Sequence, residues 1–272
     1  MPELPEITVI ARQMNKEIAG KRIAEVEVRQ PKILNVSPRK LTEAVKGKTI
    51  DNVSSKGKWI FVKLKPDYLI LINLGMGAEL VRSTSKQDPQ QGYHFRMVFG
   101  DGTGFTARFW WFGYVHLVKE GILGEHKLTS RLGISPVDKG FTENHLKEML
   151  TGRKIGIKRL LIDQKNIAGI GNVYVQDILF RAGLHPDRRT STLSDGEIRA
   201  LYKAILDTLN RSIKLGGLAY ERDFHGRNGR FTSEEFLVGY KEGKPCPTCG
   251  TTIKKIRTGS TATYICPKCQ AI

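Results

Sequence analysis

The sequence has 272 residues, of which 40% are hydrophobic, and this is enough to build two globular domains with real cores. Lysine and arginine number 44 against 27 aspartate and glutamate residues, and the resulting net charge of +17 favours a polyanionic partner such as nucleic acid. No uninterrupted apolar run approaches the roughly 20 residues of a membrane span, and Pro2, Glu3, Pro5 and Glu6 occupy the place of a signal peptide. We therefore expect a cytoplasmic protein.

The first half of the chain has the sequence pattern of a β-sheet protein. Apolar residues at helical spacing between Thr8 and Ile18 predict a leading helix that ends at Gly20. From Arg22 to about Val118, short alternating runs are separated by Gly, Pro, Asn and Asp, which is typical of strands. The clearest predicted strands are Ile23 to Val28, Trp59 to Leu64, Tyr68 to Leu74 and Phe95 to Phe99. We expect a β-sandwich.

The second half is predicted to be helical. The stretch Leu128 to Lys139 is typical of a linker, because it contains Gly133 and Pro136 and is followed by Gly140. Ser194 is a good N-cap for the longest predicted helix, and Gly216 and Gly217 end it. The predicted helices are Thr142 to Leu150, Ile155 to Gln164, Val173 to Ala182 and Asp195 to Leu215.

All four cysteines lie near the end of the chain in a C-x2-C, 16-residue gap, C-x2-C pattern. This spacing predicts a zinc ribbon with one structural Zn²⁺, because four thiolates close a tetrahedral shell; two disulfides are the alternative. The predicted ligands are Cys246, Cys249, Cys266 and Cys269. The basic residues near them either contact phosphates or form a solvated face: Lys254, Lys255, Arg257 and Lys268.

The predicted fold class is therefore α+β multidomain. It comprises an N-terminal β-sandwich domain with a leading helix over residues 1–128, a helical domain over residues 140–235, and a zinc ribbon over residues 236–272.

The opening Met1-Pro2-Glu3-Leu4-Pro5-Glu6 resembles that of the formamidopyrimidine-DNA glycosylase and endonuclease VIII family. The resemblance implies that loss of Met1 exposes Pro2 as a nucleophile, with Glu3 and Glu6 moving protons and orienting groups. The chemistry is consistent, since a free prolyl nitrogen is a secondary amine with a neutral fraction at pH 7, and its attack on a sugar carbon gives an iminium. A flexible polar terminus is the alternative for this motif alone.

Two internal segments extend the resemblance. Ser55-Lys56-Gly57-Lys58-Trp59-Ile60 resembles the family's lysine turn, which implies phosphate contact and proton transfer by Lys58. Ile167-Ala168-Gly169-Ile170-Gly171-Asn172-Val173-Tyr174 resembles the family's helix-two-turn-helix, which implies that the helical domain binds DNA and that Asn172 donates to a phosphate. Lys158, in the helix before this turn, joins the predicted DNA-binding residues.

The loop Leu74-Gly75-Met76-Gly77 resembles the family's Leu-Gly-Met loop, which implies that Met76 fills the gap left by a flipped nucleotide. A buried core methionine is the alternative. The chain departs from the family on both sides, with Asn73 where histidine is usual and Gly77 where serine or threonine is usual.

A larger departure lies at Arg108-Phe109-Trp110-Trp111-Phe112-Gly113, where the family has two arginines in a loop that inserts into the duplex. Trp110 and Trp111 stand at the arginine positions, and Arg108 is the nearest replacement cation. Because tryptophan stacks and donates one N–H, the preference for the opposite base should weaken or change. The alternative is that these aromatic residues belong to the sandwich core.

The zinc hairpin also departs from the family, because Thr261 stands where a phosphate-clamping arginine is usual and Arg257 is the nearest substitute. The segment Gly217 to Phe231 lies where the family has its lesion-covering loop, but its sequence differs.

The resemblance implies a monomeric bifunctional DNA glycosylase and abasic-site (AP) lyase of base excision repair. It would bind double-stranded DNA, remove oxidised purines and cut the backbone by β,δ-elimination. Leu4 and the Gly75-Met76 neighbourhood favour the formamidopyrimidine branch over the endonuclease VIII branch, which takes oxidised pyrimidines. A noncatalytic binder of damaged DNA and a zinc-ribbon RNA-binding protein are the remaining alternatives.

Overall fold

The computed structural model describes residues 1–84 and 92–272, which group into two compact units. The first, here called the β unit, comprises Met1–Arg131 and Leu215–Arg230. The second, the helical unit, comprises Leu132–Lys214 and Phe231–Ile272. The segment Leu215–Arg230 thus belongs to the β unit although it follows the helices in sequence.

In its described residues, the β unit contains two helices and eight strands. The helices are α1 (Leu4–Ile18) and α2 (Pro38–Val45), and short 3₁₀ turns cover Pro31–Ile33 and Glu120–Glu125. The strands are β1 (Ile23–Val28), β2 (Thr49–Lys56), β3 (Trp59–Lys65), β4 (Tyr68–Asn73), β5 (Glu79–Ser83), β6 (Phe95–Phe99), β7 (Gly104–Arg108) and β8 (Tyr114–Lys119).

The strands form two four-stranded antiparallel sheets, ordered β1-β6-β7-β5 and β2-β3-β4-β8, as the predicted sandwich requires. Alternate residues point into the core, and α1 adds Ile7, Ile10 and Met14 to it, each no more than 2% exposed. Helix α1 begins at Leu4, earlier than the predicted start at Thr8, because Pro5 is favourable in a first helical turn. Helix α2 was not predicted; it begins after Ser37, whose hydroxyl accepts from Lys40 N at 3.2 Å.

The helical unit contains four helices and a two-stranded hairpin. They are α3 (Glu143–Leu150), α4 (Ile157–Ile162), α5 (Val175–Arg181), α6 (Asp195–Lys214), β9 (Lys254–Thr258) and β10 (Thr261–Ile265), with a 3₁₀ turn at Thr190–Thr192. Ser194 caps α6 as predicted: its hydroxyl accepts from Glu197 N at 3.3 Å, and Glu197 Oε2 accepts from Ser194 N at 2.8 Å.

Buried side chains tie the C-terminal hairpin region to the helices of this unit. Asp177 on α5 accepts hydrogen bonds from the backbone N–H groups of Leu237, Val238 and Gly239 at 2.8–3.0 Å. Gln270 accepts from Cys266 N at 3.0 Å and donates to a carbonyl in the α5–α6 connection. The predicted fold class, a β-sandwich with a leading helix, a helical part and a C-terminal cysteine hairpin, is confirmed, while the predicted domain boundaries stay a prediction. No helix within the described ranges is long and apolar enough to cross a membrane.

Candidate active site and DNA-binding surfaces

The N-terminal end of α1 places two of the predicted catalytic acids inside the β unit. Pro2 is buried, and the side chains of Glu3 and Glu6 lie in residues that are 2% and 3% exposed. Glu6 Oε2 accepts from Glu3 N at 2.8 Å, and Glu6 Oε1 accepts from Leu218 N at 3.1 Å. These two bonds fix Glu6 between the start of the helix and the Leu215–Arg230 segment, so its carboxylate orients the backbone around Pro2.

Lys58 lies in the two-residue turn between β2 and β3. Gly57 has φ +58°, the left-handed conformation that a tight hairpin requires at its first turn residue, and Lys56 pairs with Trp59 across the turn. The Lys58 side chain is 10% exposed, and its Nζ lies 4.0 Å from Glu3 Oε1. The predicted residues Glu3 and Lys58 are thus brought together as a nearly buried ion pair beside Pro2.

Asn73 connects the lysine turn to the Met76 loop. Its Nδ2 donates to the carbonyl of Lys58 at 2.9 Å, while its Oδ1 accepts from Gly75 N at 3.0 Å. The residue that stands in place of the family's usual histidine therefore holds two site segments in register.

A third acidic residue, Glu221, reaches the terminal amine. Its Oε1 lies 3.5 Å from the Met1 α-ammonium, and the residue is 9% exposed. Burial raises the pKa of Glu221, the Met1 ammonium lowers it, and the neighbouring Glu3 adds to the increase. The sequence analysis did not identify this residue, although it lies inside the segment aligned with the lesion-covering loop.

The segment Leu215–Arg230 is held firmly in the β unit. Gln13 on α1 donates to Asp223 Oδ2 at 2.9 Å and accepts from Phe224 N at 2.9 Å. The Phe224 ring is fully buried in the sandwich core, and its carbonyl accepts from Arg82 N at 2.8 Å. The part of the chain that carries Glu221 is consequently a packed element of the unit.

Met76 and the aromatic loop form one exposed surface, here called the wedge. The four side chains Met76, Trp110, Trp111 and Phe112 are 43%, 62%, 65% and 69% exposed. Met76 N donates to Trp111 O at 2.9 Å and Trp111 N donates to Met76 O at 3.3 Å, so the two loops pair as a short antiparallel bridge.

The exposure of the wedge excludes the alternative that Trp110, Trp111 or Met76 belongs to the core; Phe109, which is 6% exposed, takes the core position instead. The guanidinium of Arg108 lies over the Trp110 ring, with its Cζ 4.7 Å from the ring centroid. A contiguous exposed apolar patch of this kind marks a binding surface.

In the helical unit, Asn172 and the hairpin are joined by a residue that the sequence analysis missed. Gln176 Nε2 lies 3.3 Å from Asn172 Oδ1 and 3.2 Å from the carbonyl of Ala262, and Gln176 Oε1 accepts from Tyr264 N at 3.0 Å. Because Oδ1 is engaged, the amide nitrogen of Asn172 keeps the donor role that a phosphate requires. The sequence did contain a signal for this contact, because residues four apart in a helical segment, such as Asn172 and Gln176, lie next to each other.

Lys158 is buried beside the first residues of β10, next to the hairpin turn, with 1% exposure. Its Nζ donates to Thr261 Oγ1 at 2.8 Å, to Ala262 O at 3.2 Å and to Thr263 Oγ1 at 2.7 Å. Burial lowers the pKa of Lys158 to about 8, an effect that Asp187 partly opposes. Lys158 therefore acts here as an internal clamp on β10, whereas the sequence analysis assigned it to the DNA-binding residues.

Arg257 is exposed on β9, opposite Ala262, and its Nε donates to Gly259 O at 3.2 Å. Its guanidinium is thus held near the hairpin tip, away in sequence from both C-x2-C pairs. This position suits a phosphate contact from the solvent side of the hairpin.

The four cysteine sulfurs are grouped within 4.8 Å of one another. Cys246 Sγ lies 3.9 Å from Cys269 Sγ, and Cys249 Sγ lies 3.4 Å from Cys266 Sγ. Tetrahedral Zn²⁺ with bonds of about 2.3 Å separates its sulfur ligands by nearly 3.8 Å, while a disulfide needs about 2.05 Å. The cluster fits one structural Zn²⁺ held by all four thiolates, as predicted, and it excludes the disulfide alternative.

Comparisons with known proteins agree with this geometry. Residues 1–110 match the model of the formamidopyrimidine-DNA glycosylase N-terminal domain, residues 132–223 match its H2TH domain, and residues 243–272 match the zinc finger found in FPG and IleRS. A formamidopyrimidine-DNA glycosylase of Pelotomaculum thermopropionicum is 37% identical over 279 residues, covering 100% of both chains.

Solved structures agree as well. Lactococcus lactis Fpg in complex with DNA that contains an abasic site superposes with a TM-score of 0.90 at 30% identity, covering 99% of this chain and 100% of that one. Wild-type Lactococcus lactis Fpg bound to DNA with N7-benzyl-Fapy-dG gives a TM-score of 0.90 at 31% identity, with 100% of both chains covered. With its whole length matched at this identity, the chain belongs to the formamidopyrimidine-DNA glycosylase family of DNA repair enzymes.

Proposed function

We propose that the protein is a bifunctional DNA glycosylase and AP lyase that removes oxidised purines through an imine on Pro2. The observation that carries the proposal is the buried pair of Glu3 and Lys58, which lies directly beside Pro2 with 4.0 Å between Oε1 and Nζ. A carboxylate and an ammonium at one buried point can serve as acceptor and donor of protons during the same reaction.

The reaction begins when loss of Met1 frees the nitrogen of Pro2, which is an unreactive amide while Met1 is attached. The neutral amine forms a bond to C1′ of the sugar as the glycosidic bond breaks, and the departing base takes the bonding electrons and a proton. Opening of the sugar ring leaves an iminium and a protonated O4′. Glu3 would exchange these protons, and Lys58 would hold a phosphate or return a proton.

The iminium then acidifies the hydrogen on C2′. Its removal sends electrons toward the nitrogen, and their return expels the 3′-phosphate with the C3′–O electrons, which is β-elimination. Loss of a second proton from C4′ expels the 5′-phosphate in the same way, completing the δ step. Each elimination removes one proton and one phosphate, so the two steps are redox-neutral and need no oxidant.

DNA binding is assigned to both units. The wedge of Met76, Trp110, Trp111 and Phe112 would fill the space left by the flipped nucleotide, with Arg108 beside it. Asn172, at the helix-two-turn-helix, and Arg257 would contact phosphates, while the zinc site stabilises the hairpin. The cytoplasmic location expected from the sequence stays a prediction.

Oxidised purines are the favoured substrates because this family's solved relative binds a formamidopyrimidine lesion and the Gly75-Met76 loop resembles that branch. Oxidised pyrimidines are the second candidate, since the endonuclease VIII branch shares the nucleophile, the helical hairpin and the zinc motif, and the aromatic wedge matches neither branch.

The test is borohydride trapping of Met-processed protein on duplex DNA with an abasic site, followed by the same assay on duplexes with an oxidised purine or an oxidised pyrimidine. We expect a covalent adduct that is lost in Pro2→Gly and in protein that retains Met1. Tight binding of the abasic duplex without any adduct would contradict the lyase and favour the noncatalytic binder. An adduct on abasic DNA together with release of pyrimidines alone would move the substrate assignment to the second candidate.

A further inference from the structure

Around the N-terminus the buried acidic side chains outnumber the lysine beside them, so the terminal amine offsets part of their negative charge. Three acidic side chains lie there at 9% exposure or less, namely Glu3, Glu6 and Glu221, and Lys58 is the side-chain cation beside them. Buried carboxylates require partners, because an uncompensated charge in a protein interior is costly.

Each of these carboxylates has a different partner. Glu6 accepts from two backbone N–H groups, those of Glu3 and Leu218. Glu3 forms its ion pair with Lys58. Glu221 forms its ion pair with the α-ammonium of Met1, at 3.5 Å. The terminal positive charge is thus matched to a residue from the Leu215–Arg230 segment, far along the chain from α1.

Removal of Met1 transfers the terminal positive charge from the nitrogen of Met1 to the nitrogen of Pro2. Neighbouring backbone nitrogens are separated by three bonds, which limits their distance to about 3.7 Å, so the freed Pro2 nitrogen lies within about 7 Å of Glu221 Oε1 before any side chain moves. Rotation about the side-chain bonds of Glu221 can bring its carboxylate closer to the Pro2 nitrogen. Glu221 is held in place by the packing of Phe224 and the Gln13 bonds described above.

We propose that Glu221 is a positioning residue for the nucleophile: it pairs with the protonated Pro2 amine, orients it in the pocket and accepts its proton before attack. The inference rests on the proposed function. In the proton step the Pro2 N–H⁺ bond breaks, its electron pair stays on nitrogen, and the proton forms an O–H bond on Glu221 and then passes to solvent. The carboxylate so regenerated faces the cationic iminium and stabilises it.

The experiment is single-turnover borohydride trapping on an abasic duplex between about pH 5.5 and 9, for the wild type, Glu221→Gln and Glu221→Asp. The charged groups that face Glu221 are the terminal amine and Glu3. Lys58 pairs with Glu3, and Glu6 accepts from the backbone of Glu3. Arg222, the next residue in the chain, pairs with Glu79. A carboxylate beside an amine raises the amine's pKa. Glu221→Gln should therefore move the acidic limb of the profile to lower pH and reduce its maximum about tenfold.

Glu221→Asp, which keeps the charge, should restore the position of the acidic limb. Glu43→Gln is the matched control, because Glu43 forms an exposed ion pair with Arg39 on α2, and its profile should equal that of the wild type. A Glu221→Gln profile that is lower at every pH but unmoved along the pH axis would overturn the inference, as would one identical to the wild type. No adduct from the wild type itself would instead contradict the imine mechanism.

Discussion

Asn73 donates to the carbonyl of Lys58 at 2.9 Å, and through its other side-chain atom it accepts from Gly75 at 3.0 Å. One amide thereby holds the lysine turn at a fixed position relative to the Met76 loop. Lys58 and Asn73 are 15 residues apart in sequence, so the register of the two segments depends on β3, β4 and this side chain.

We expect Asn73→Ala to lower the free energy of unfolding by about 1–3 kcal/mol, because it leaves a partly buried carbonyl and N–H without partners. Asn73→Asp keeps the acceptor for Gly75 but turns an oxygen toward the Lys58 carbonyl, so it should lose stability as well. Urea unfolding measures the effect. Asn52→Ala, at an exposed position on β2, is the control and should change stability by less than about 0.5 kcal/mol.

The wedge depends on a glycine. Gly75 has φ +58°, and a Cβ there would lie 2.0 Å from the carbonyl oxygen of Trp111, which belongs to the bridge between the two loops. Gly75→Ala should therefore separate the loops and reduce affinity for an abasic duplex about tenfold or more. Gly20→Ala provides the comparison, since Gly20 also has positive φ (+82°) but nothing within 4 Å of its added Cβ.

Gly20→Ala should lower the free energy of unfolding by about 1 kcal/mol, which is the cost of a positive φ for alanine, and it should leave DNA affinity unchanged. Equal affinity in both variants, measured by fluorescence anisotropy, would refute the assignment of the wedge to DNA binding.

Trp110 stands where the family has an arginine, and its ring is covered by the Arg108 guanidinium at 4.7 Å. An aromatic ring stacks on any base, whereas a bidentate arginine contact discriminates by about 1–3 kcal/mol. We expect cleavage rates of a lesion opposite C, G, A and T to differ by less than about fivefold. Trp110→Arg should increase the spread to tenfold or more, and Trp110→Phe should leave it small. A strong preference of the wild type for one opposite base would contradict the interpretation that Trp110 stacks on any base.

The sequence predicted the sandwich and four of its strands, β1, β3, β4 and β6, because alternating runs such as Ile23 to Val28 and Phe95 to Phe99 are bounded by glycine, proline or polar turns. The zinc site was predictable for a similar reason, since two C-x2-C pairs specify their own geometry. Helix α2 was missed because eight residues with two buried positions, Leu41 and Val45, carry too weak a periodicity among strands.

The site was only partly predictable. Pro2, Glu3 and Lys58 lie in local motifs, but Glu221 reaches the terminal amine only because the Leu215–Arg230 segment returns to the β unit. Lys158 shows the same limit in another way, because its position in sequence did not reveal that packing against β10 buries it. Long-range contacts of this kind leave no spacing pattern in the sequence.

Removal of zinc should affect the hairpin and spare the β unit. We expect one Zn²⁺ per chain by elemental analysis, and we expect strong chelation or Cys249→Ser to unfold the β9–β10 hairpin, since a closed four-thiolate site supplies its folding energy. All three tryptophans, Trp59, Trp110 and Trp111, belong to the β unit, so tryptophan emission should change little while DNA affinity falls. Full affinity in zinc-free protein would contradict a role for the hairpin in binding.

Lys158 gives the stability of the helical unit a defined pH dependence. Burial lowers its pKa from 10.5 to about 8 in the folded state, so between those values the unfolded chain binds more protons than the folded one. Stability rises with pH wherever the unfolded state binds more protons. The contribution of this group to the free energy of unfolding should therefore increase from about pH 8 to pH 10, because the cost of burying the ammonium is removed.

Lys158→Met removes the titration and the three bonds to β10 together, and it should destabilise the helical unit at every pH. Its deficit relative to the wild type should be larger at pH 10 than at pH 8, as measured by urea unfolding with a far-ultraviolet circular dichroism signal. Lys203→Met, at an exposed position on α6, is the control and should show no such trend. A deficit that shrinks as the pH rises would mean that the ammonium, once paired with the Thr261 and Thr263 hydroxyls, is more stable inside the protein than in water.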